Sequence, residues 1–191
     1  MDALDVAVSA VVAVLAGTAI VLYNRLIATR VRVDEALAQV ETDLQRRHDL
    51  VGRLASTVAA AATHERRAID AVLSARTAAL RPPNAEIAEV ADADLQRATA
   101  QLIAVAEDFP DLRADGAFSQ MQAELADTES RLAFARDFAA HRIAAYHERL
   151  DTFPSSIIAR LARFEHRTMF VADHDARHSP AVSSGPRDVA S

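Results

Sequence analysis

The sequence predicts an all-α protein in which an N-terminal transmembrane helix is followed by an elongated antiparallel bundle of three long helices and a short one. Three observations support this prediction. Residues 6–23 form a run of eighteen residues without a charge. Beyond this run, apolar residues recur at spacings of three and four, which is the period of an amphipathic helix. Runs of β-branched and aromatic residues typical of strands are missing outside the apolar run.

The apolar run is predicted to be a membrane anchor. At 1.5 Å per residue, eighteen helical residues span roughly 27 Å, close to the thickness of the bilayer hydrocarbon. A secretory signal peptide needs a basic stretch before the run, whereas residues 1–5 contain no basic side chain. The helical pattern also continues past the run without a cleavage region, so we expect the anchor to remain uncleaved. The residues assigned to the anchor are Val6, Val11, Val14, Leu15, Ile20, Leu22 and, at the interface, Tyr23.

Charges on either side of the anchor predict its orientation. Arg25, Arg30 and Arg32 follow the run, while Asp2 and Asp5 precede it. Because arginine next to a span resists translocation, we expect the N-terminus outside and the bundle in the cytoplasm. The predicted localisation is therefore the cell membrane, with a single pass.

The prolines divide the rest of the chain into helices. The first is expected to run from the anchor through a heptad-patterned, coiled-coil-like stretch and to end at the proline pair 82–83, which cannot continue a helix. A second helix is expected over about residues 84–107, with Asn84 as its N-cap. A third is expected over about 115–152. The break at Pro154 separates it from a last, short helix.

Three regions follow from these boundaries. Residues 1–23 form the N-terminal tail and anchor, and residues 24–170 form the helical bundle. Residues 171–191 are rich in Asp, His, Ser, Pro and Gly, so we expect a tail without fixed structure.

Composition and motifs predict no catalytic, cofactor or metal site. The net charge of −6 argues against a nucleic-acid partner, which would favour a basic face. There is no cysteine and no glycine-rich phosphate loop. Residues 64–68 read HERRA, which lacks the second histidine of the zinc-protease motif. His174 and His178 could hold a metal only weakly, and a solvated tail is the favoured interpretation.

A polar cluster interrupts the apolar stripe of the first helix. A charge in such a stripe is costly unless it is paired, so Arg47 is expected to meet a carboxylate of a facing helix, with Glu129 as the chosen partner. A buried pair that sets helix register is the favoured role, and a ligand or partner site is the alternative. The residues assigned to this cluster are Arg46, Arg47, His48, Asp49, Glu129, Arg131 and Arg136.

Several motifs in order suggest a known family. They include YNRL at 23–26, VDEALAQV at 33–40, LQRRHDL at 44–50, and the pairs Thr128-Glu129 and Phe153-Pro154. With these motifs the chain resembles the LemA family of bacterial membrane-anchored helical proteins, from the anchor to about Phe170. The resemblance implies a single-pass protein with its N-terminus outside, a cytoplasmic bundle and no established catalytic activity.

The chain departs from the family pattern at several positions. Leu37 replaces a tryptophan, Gly52 replaces a proline, and Ala139-Ala140 replace a Tyr-Asn pair. These changes identify a divergent member, because they remove aromatic and hydrogen-bonding groups without disturbing the helical pattern.

Two classes of function follow. The first is an interaction or scaffold protein without catalysis, bound to the bilayer and to an unknown protein partner, with self-association as a further option. The second is an accessory factor, either one that shapes the membrane through its short last helix or one that serves a membrane enzyme. The weakest alternative is a hydrolase that uses His48, Asp49 and Glu129.

Overall fold

The computed structural model describes residues 2–62 and 65–169, and the predicted tail of residues 171–191 lies outside them. These residues form six helices and no strand, which confirms the all-α fold class. The helices are α1 (Ala3–Ala61), α2 (Arg66–Leu80), α3 (Ala85–Glu107), α4 (Pro110–Arg113), α5 (Gly116–Asp151) and α6 (Ser155–Leu161).

Helix α1 joins the apolar segment to the bundle without a break. It is 59 residues long and includes a stretch apolar enough to cross a membrane, none of which is buried inside the structure. The predicted anchor residues lie in this stretch, where all are exposed except Leu22, which is half-buried. Because α1 is continuous, the direction of its apolar end also sets the direction of the part of α1 that lies in the bundle.

The first predicted helix is in fact two helices, so the expectation of continuity up to the proline pair 82–83 is wrong. Helix α1 ends at Ala61 and α2 turns back along it, so that Nε of Arg76 donates to the carbonyl of His48 at 2.7 Å. If α1 and α2 formed one continuous helix, their apolar sides could not pack against each other. The hairpin instead packs Ile69 and Val72 of α2 into the same core as Val58 of α1.

The remaining helix boundaries follow local signals. The Asn84 side chain accepts a hydrogen bond from the Ile87 amide at 2.9 Å and caps α3 as predicted. Asp115 caps α5 in the same way through the Ala117 amide, at 2.8 Å. Such side-chain acceptors satisfy amides that have no partner within the helix.

Helix α5 runs antiparallel to α1 along almost the whole bundle. At one end Arg149 donates to the hydroxyl of Thr29, and towards the other end Arg53 lies 3.5 Å from Glu124. The heptad pattern predicts Val33, Leu37, Val40 and Leu44 at the buried seam of α1, but Leu37 and Leu44 are only half-buried. The buried seam between these contacts comprises Thr29, Val33, Ala36, Val40, Asp43, Arg47, His48, Leu50 and Val51.

Three apolar clusters succeed one another along the bundle. The distal core draws on α1, α2, α3, α4 and α5, and it contains Leu54, Leu95 and Phe118 among others. The middle core is built only from α1 and α5, with Met169 packed against it. The proximal core lies nearest the apolar segment and comprises Leu26, Val33, Tyr146, Leu150 and Ala159. The bundle is therefore thickest at the end away from the apolar segment and thins to two helices in the middle.

Candidate functional site

The structure buries Arg47 between carboxylates of two other helices. Its side chain is 1% exposed, with Nη1 2.5 Å from Oδ1 of Asp92 on α3 and Nε 2.6 Å from Oε1 of Glu129 on α5. A guanidinium removed from water loses much hydration free energy, which close carboxylates offset. Arg47 thus occupies a core position on α1 only because two neighbouring helices each supply a negative charge.

Asp92 is shared between two arginines. Its second oxygen, Oδ2, accepts a hydrogen bond from Nη2 of Arg136 at 2.9 Å. We call Arg47, Asp92, Glu129 and Arg136 the ion-pair cluster. Two positive and two negative charges balance within it, and its contacts tie α1, α3 and α5 together. Such a network fixes the axial positions of the three helices, because a slip of one turn would separate the charges by about 5 Å.

His48 lies beside the ion-pair cluster, and its ring is buried. Burial is the main cause that lowers the pKa of His48 below its ordinary value of 6.5, and the positive charges of Arg47 and Arg76 lower it further. The carboxylates of Asp92 and Asp49 act in the opposite direction but do not prevail. The ring is therefore neutral at physiological pH.

Three buried side-chain atoms have no hydrogen-bond partner within the described ranges. Two of them are Nη2 of Arg47 and Nε2 of His48. The third, Nε of Arg47, also has no hydrogen bond, although it forms a close ion pair with Glu129. Buried polar atoms of this kind are rare and cost stability, so this part of α1 is not optimised for packing alone.

Gly52 allows Arg76 to approach α1 closely. A Cβ atom built at Gly52 would lie 3.3 Å from the guanidinium carbon of Arg76, tighter than an ordinary contact. Arg76 also lies 3.8 Å from Asp49, so one side chain of α2 bridges two groups of α1. Glycine at position 52 thus makes room for the Arg76 guanidinium beside α1.

The predicted cluster residues fall into two groups. Arg47, Glu129 and Arg136 meet through direct contacts or through Asp92, with His48 beside them. Arg46 and Asp49 are exposed on α1, and Arg131 is exposed on α5, where it pairs with Asp127 at 2.8 Å. The prediction missed Asp92, although its spacing from Leu95 and Leu102 places it on the buried side of α3.

The site offers little for catalysis. Glu129 is engaged by Arg47, Asp49 faces Arg76, and the His48 ring is buried, so these three side chains form no hydrogen-bonded set in the ranges that the structure describes. Those ranges also contain no group of three or more metal-ligating side chains. The contacts of the ion-pair cluster join α1, α3 and α5.

A second feature is a groove between α1 and α5 beside the middle core. Its α5 side includes Phe134, which is 72% exposed and stacks on Phe138 with 6.4 Å between ring centroids. The guanidinium of Arg142 lies 4.6 Å from the Phe138 centroid. We call this the phenylalanine groove, and its α1 side is lined by Arg32, Glu35, Ala36, Gln39 and Asp43. These phenylalanines were not among the predicted site residues, although a pair four residues apart beside the apolar stripe is a recognisable signal in the sequence.

Comparison with protein families matches residues 36–183 to the model of the LemA family, which is more than half of the chain. The match begins after the apolar segment, and it includes the ion-pair cluster and the phenylalanine groove except for Arg32 and Glu35. No curated protein sequence matches the chain.

Proposed function

The chain belongs to the LemA family, and from this premise we propose that it is a membrane-anchored protein that acts by binding proteins rather than by catalysis. The observation that carries the proposal is the phenylalanine groove, an exposed aromatic surface on a rigid stalk that continues into an apolar helix. Exposed stacked aromatic rings beside charges are typical of interaction surfaces and costly on a surface without a partner.

The middle of the bundle supports this proposal because it has too few helices to cover itself. Its buried core is drawn from α1 and α5 alone, and Leu37, Leu44 and Met169 are only partly buried against it. The phenylalanine groove lies on the other side of the buried seam, where Glu35 and Gln39 project from α1. Two helices bury one stripe between them, so the open side is suited to a further pair of helices.

A second copy of the chain is the partner that fits the groove. Anchored copies stand side by side at equal height, and a two-fold axis along the membrane normal would set α1 of one copy against α5 of the other. Glu35 lies six residues after Thr29, and Arg142 lies seven before Arg149, which contacts Thr29. These opposite charges therefore lie at nearly the same height and would pair twice across the axis.

Charge exchange tests this proposal on the full chain purified in detergent or nanodiscs. Glu35→Arg and Arg142→Glu are each expected to weaken dimerisation at least about fivefold in sedimentation or mass photometry, since each places like charges across the axis. The double variant is expected to recover most of the affinity. Arg97→Glu, which alters an exposed charge on α3 that is paired with Asp94 and lies outside the groove, is the matched control. A chain that stays monomeric at all concentrations, or a double variant weaker than both single variants, would contradict the proposal.

The alternative functions receive unequal support. An accessory role at the membrane is favoured by apolar side chains that α6 exposes at the membrane end of the bundle. The hydrolase alternative is the least supported, because the His48 ring would have to leave its buried position and Glu129 would have to leave Arg47.

A further inference from the structure

We propose that the corner between α5 and α6, residues 152–164, is a second membrane contact whose apolar side chains enter the interface of the bilayer. This inference rests on the proposed anchoring, because the anchor brings the bilayer to this end of the bundle. The bundle would then contact the bilayer directly, in addition to being attached through the apolar segment of α1.

The position of the corner is set by its contacts with the end of the apolar segment. Leu150 and Ala159 pack with Leu26 in the proximal core. The ring of Phe164 meets the ring of Tyr23 edge-on, with 5.8 Å between centroids. Tyr23 is the last residue of the apolar segment, so the corner lies at the height where α1 would emerge from the hydrocarbon.

One side of the corner is apolar and uncovered in the described part of the chain. Phe153 is 75% exposed, Ile157 51% and Leu161 76%. Ile157 and Leu161 lie four residues apart on α6 and therefore share one side of it, while Ile158 and Ala159 face the proximal core; Phe153 lies in the turn before α6. Three large apolar side chains exposed together in water are unfavourable, and the region next to the anchor is the part of the molecule where lipid would cover them.

The charges around this apolar side fit a lipid surface. Residues 152–164 contain two arginines, Arg160 and Arg163, and no acidic residue. Both arginines are exposed, as is Arg25 just beyond the apolar segment. Apolar side chains flanked by arginines are the composition of helices that lie in the interface of membranes with anionic lipids. The occupant of this surface is therefore the headgroup region of an anionic bilayer.

The absence of tryptophan from the chain permits a direct test. Single-tryptophan variants of the full chain are placed in nanodiscs of phosphatidylcholine and phosphatidylglycerol, with and without brominated acyl chains. Leu161→Trp is expected to show blue-shifted emission and at least twofold quenching by the brominated lipid. Val90→Trp is the matched control, since position 90 is also exposed but lies on α3 beside Asp92, whose partner Arg47 is about 35 Å beyond Tyr23 along α1. It is expected to show no quenching.

A third variant separates this inference from the proposed anchoring. Val14→Trp lies inside the apolar segment and is expected to be quenched whenever the segment spans the bilayer. Quenching at position 14 with none at 161 would overturn the second contact and leave the anchoring intact. No quenching at either position would overturn the anchoring itself. Blue-shifted emission at 161 without quenching would show that protein covers the corner and would also overturn the inference.

Charge supplies an independent check in folded protein. Replacing Arg160 and Arg163 by serine in the Leu161→Trp background changes only exposed side chains, so the bundle is expected to fold normally by circular dichroism. Quenching at 161 is expected to fall at least twofold in anionic nanodiscs. Quenching that is unchanged by this replacement and by the removal of phosphatidylglycerol would contradict the anionic-surface assignment.

Discussion

At the scale of single residues, the structure combines a buried arginine with a buried neutral histidine. Arg47 is held by carboxylates, whereas the His48 ring has no partner for Nε2 within the described residues. The two neighbours respond differently to burial, because an arginine keeps its charge and a histidine loses it. Proton binding at His48 is therefore linked to folding.

The pH dependence of stability follows from the lowered pKa of His48. In the unfolded chain the imidazole binds a proton as the pH falls through about 6.5, while in the folded chain it stays neutral until a lower pH. The unfolded state then binds more protons, so the free energy of unfolding should decrease as the pH falls below about 6.5. His48→Gln should flatten this slope in urea titrations at pH 7.5 and 5.5. His141→Gln removes an exposed histidine for comparison, and an equal change of slope in both variants would contradict the assignment to His48.

At the scale of helices, local signals predicted more than long-range ones. The caps at Asn84 and Asp115 were predictable because a cap depends on a few neighbouring residues. The hairpin between α1 and α2 was not, because the apolar stripe continues on both sides of residues 62–65 and is equally compatible with a rod. Asp92 was missed because nothing local marks which carboxylate a distant arginine will meet.

The ion-pair cluster should behave as one energetic unit that joins three helices. Arg47→Met is expected to destabilise the fold by about 3–5 kcal/mol, because it leaves carboxylates without their buried partner. In a double-mutant cycle with Asp92→Asn, the two changes should be non-additive by at least about 1 kcal/mol, since both remove the same contact.

The exposed pair Arg131 and Asp127 provides the matched control for this cycle. Its coupling energy should not exceed about 0.5 kcal/mol, because water screens pairs at the surface. Additive effects at Arg47 and Asp92 would show that the short contacts do not link α1 to α3 energetically.

At the scale of the whole molecule, one uninterrupted helix joins features that would otherwise be independent. Helix α1 contains the apolar segment, one side of the phenylalanine groove and Arg47 of the ion-pair cluster. The order of the apolar segment and the helices that follow it was predictable from hydropathy and from the positions of the prolines. The groove was not, because recognising it requires knowing which stretch of α1 lacks covering helices, and that depends on where α2 turns back.

The predicted orientation can be tested on the intact protein because the chain contains no cysteine. Asp2→Cys and Gln101→Cys each introduce a single thiol at an exposed position, before the apolar segment and on α3 respectively. Because the arginines that follow the apolar segment are expected to stay in the cytoplasm, a membrane-impermeant maleimide should label intact cells at position 2 and not at position 101. Permeabilised cells should be labelled at both positions, which controls for reactivity. Labelling of position 101 in intact cells would reverse the orientation and place both the phenylalanine groove and the corner of residues 152–164 outside the cytoplasm.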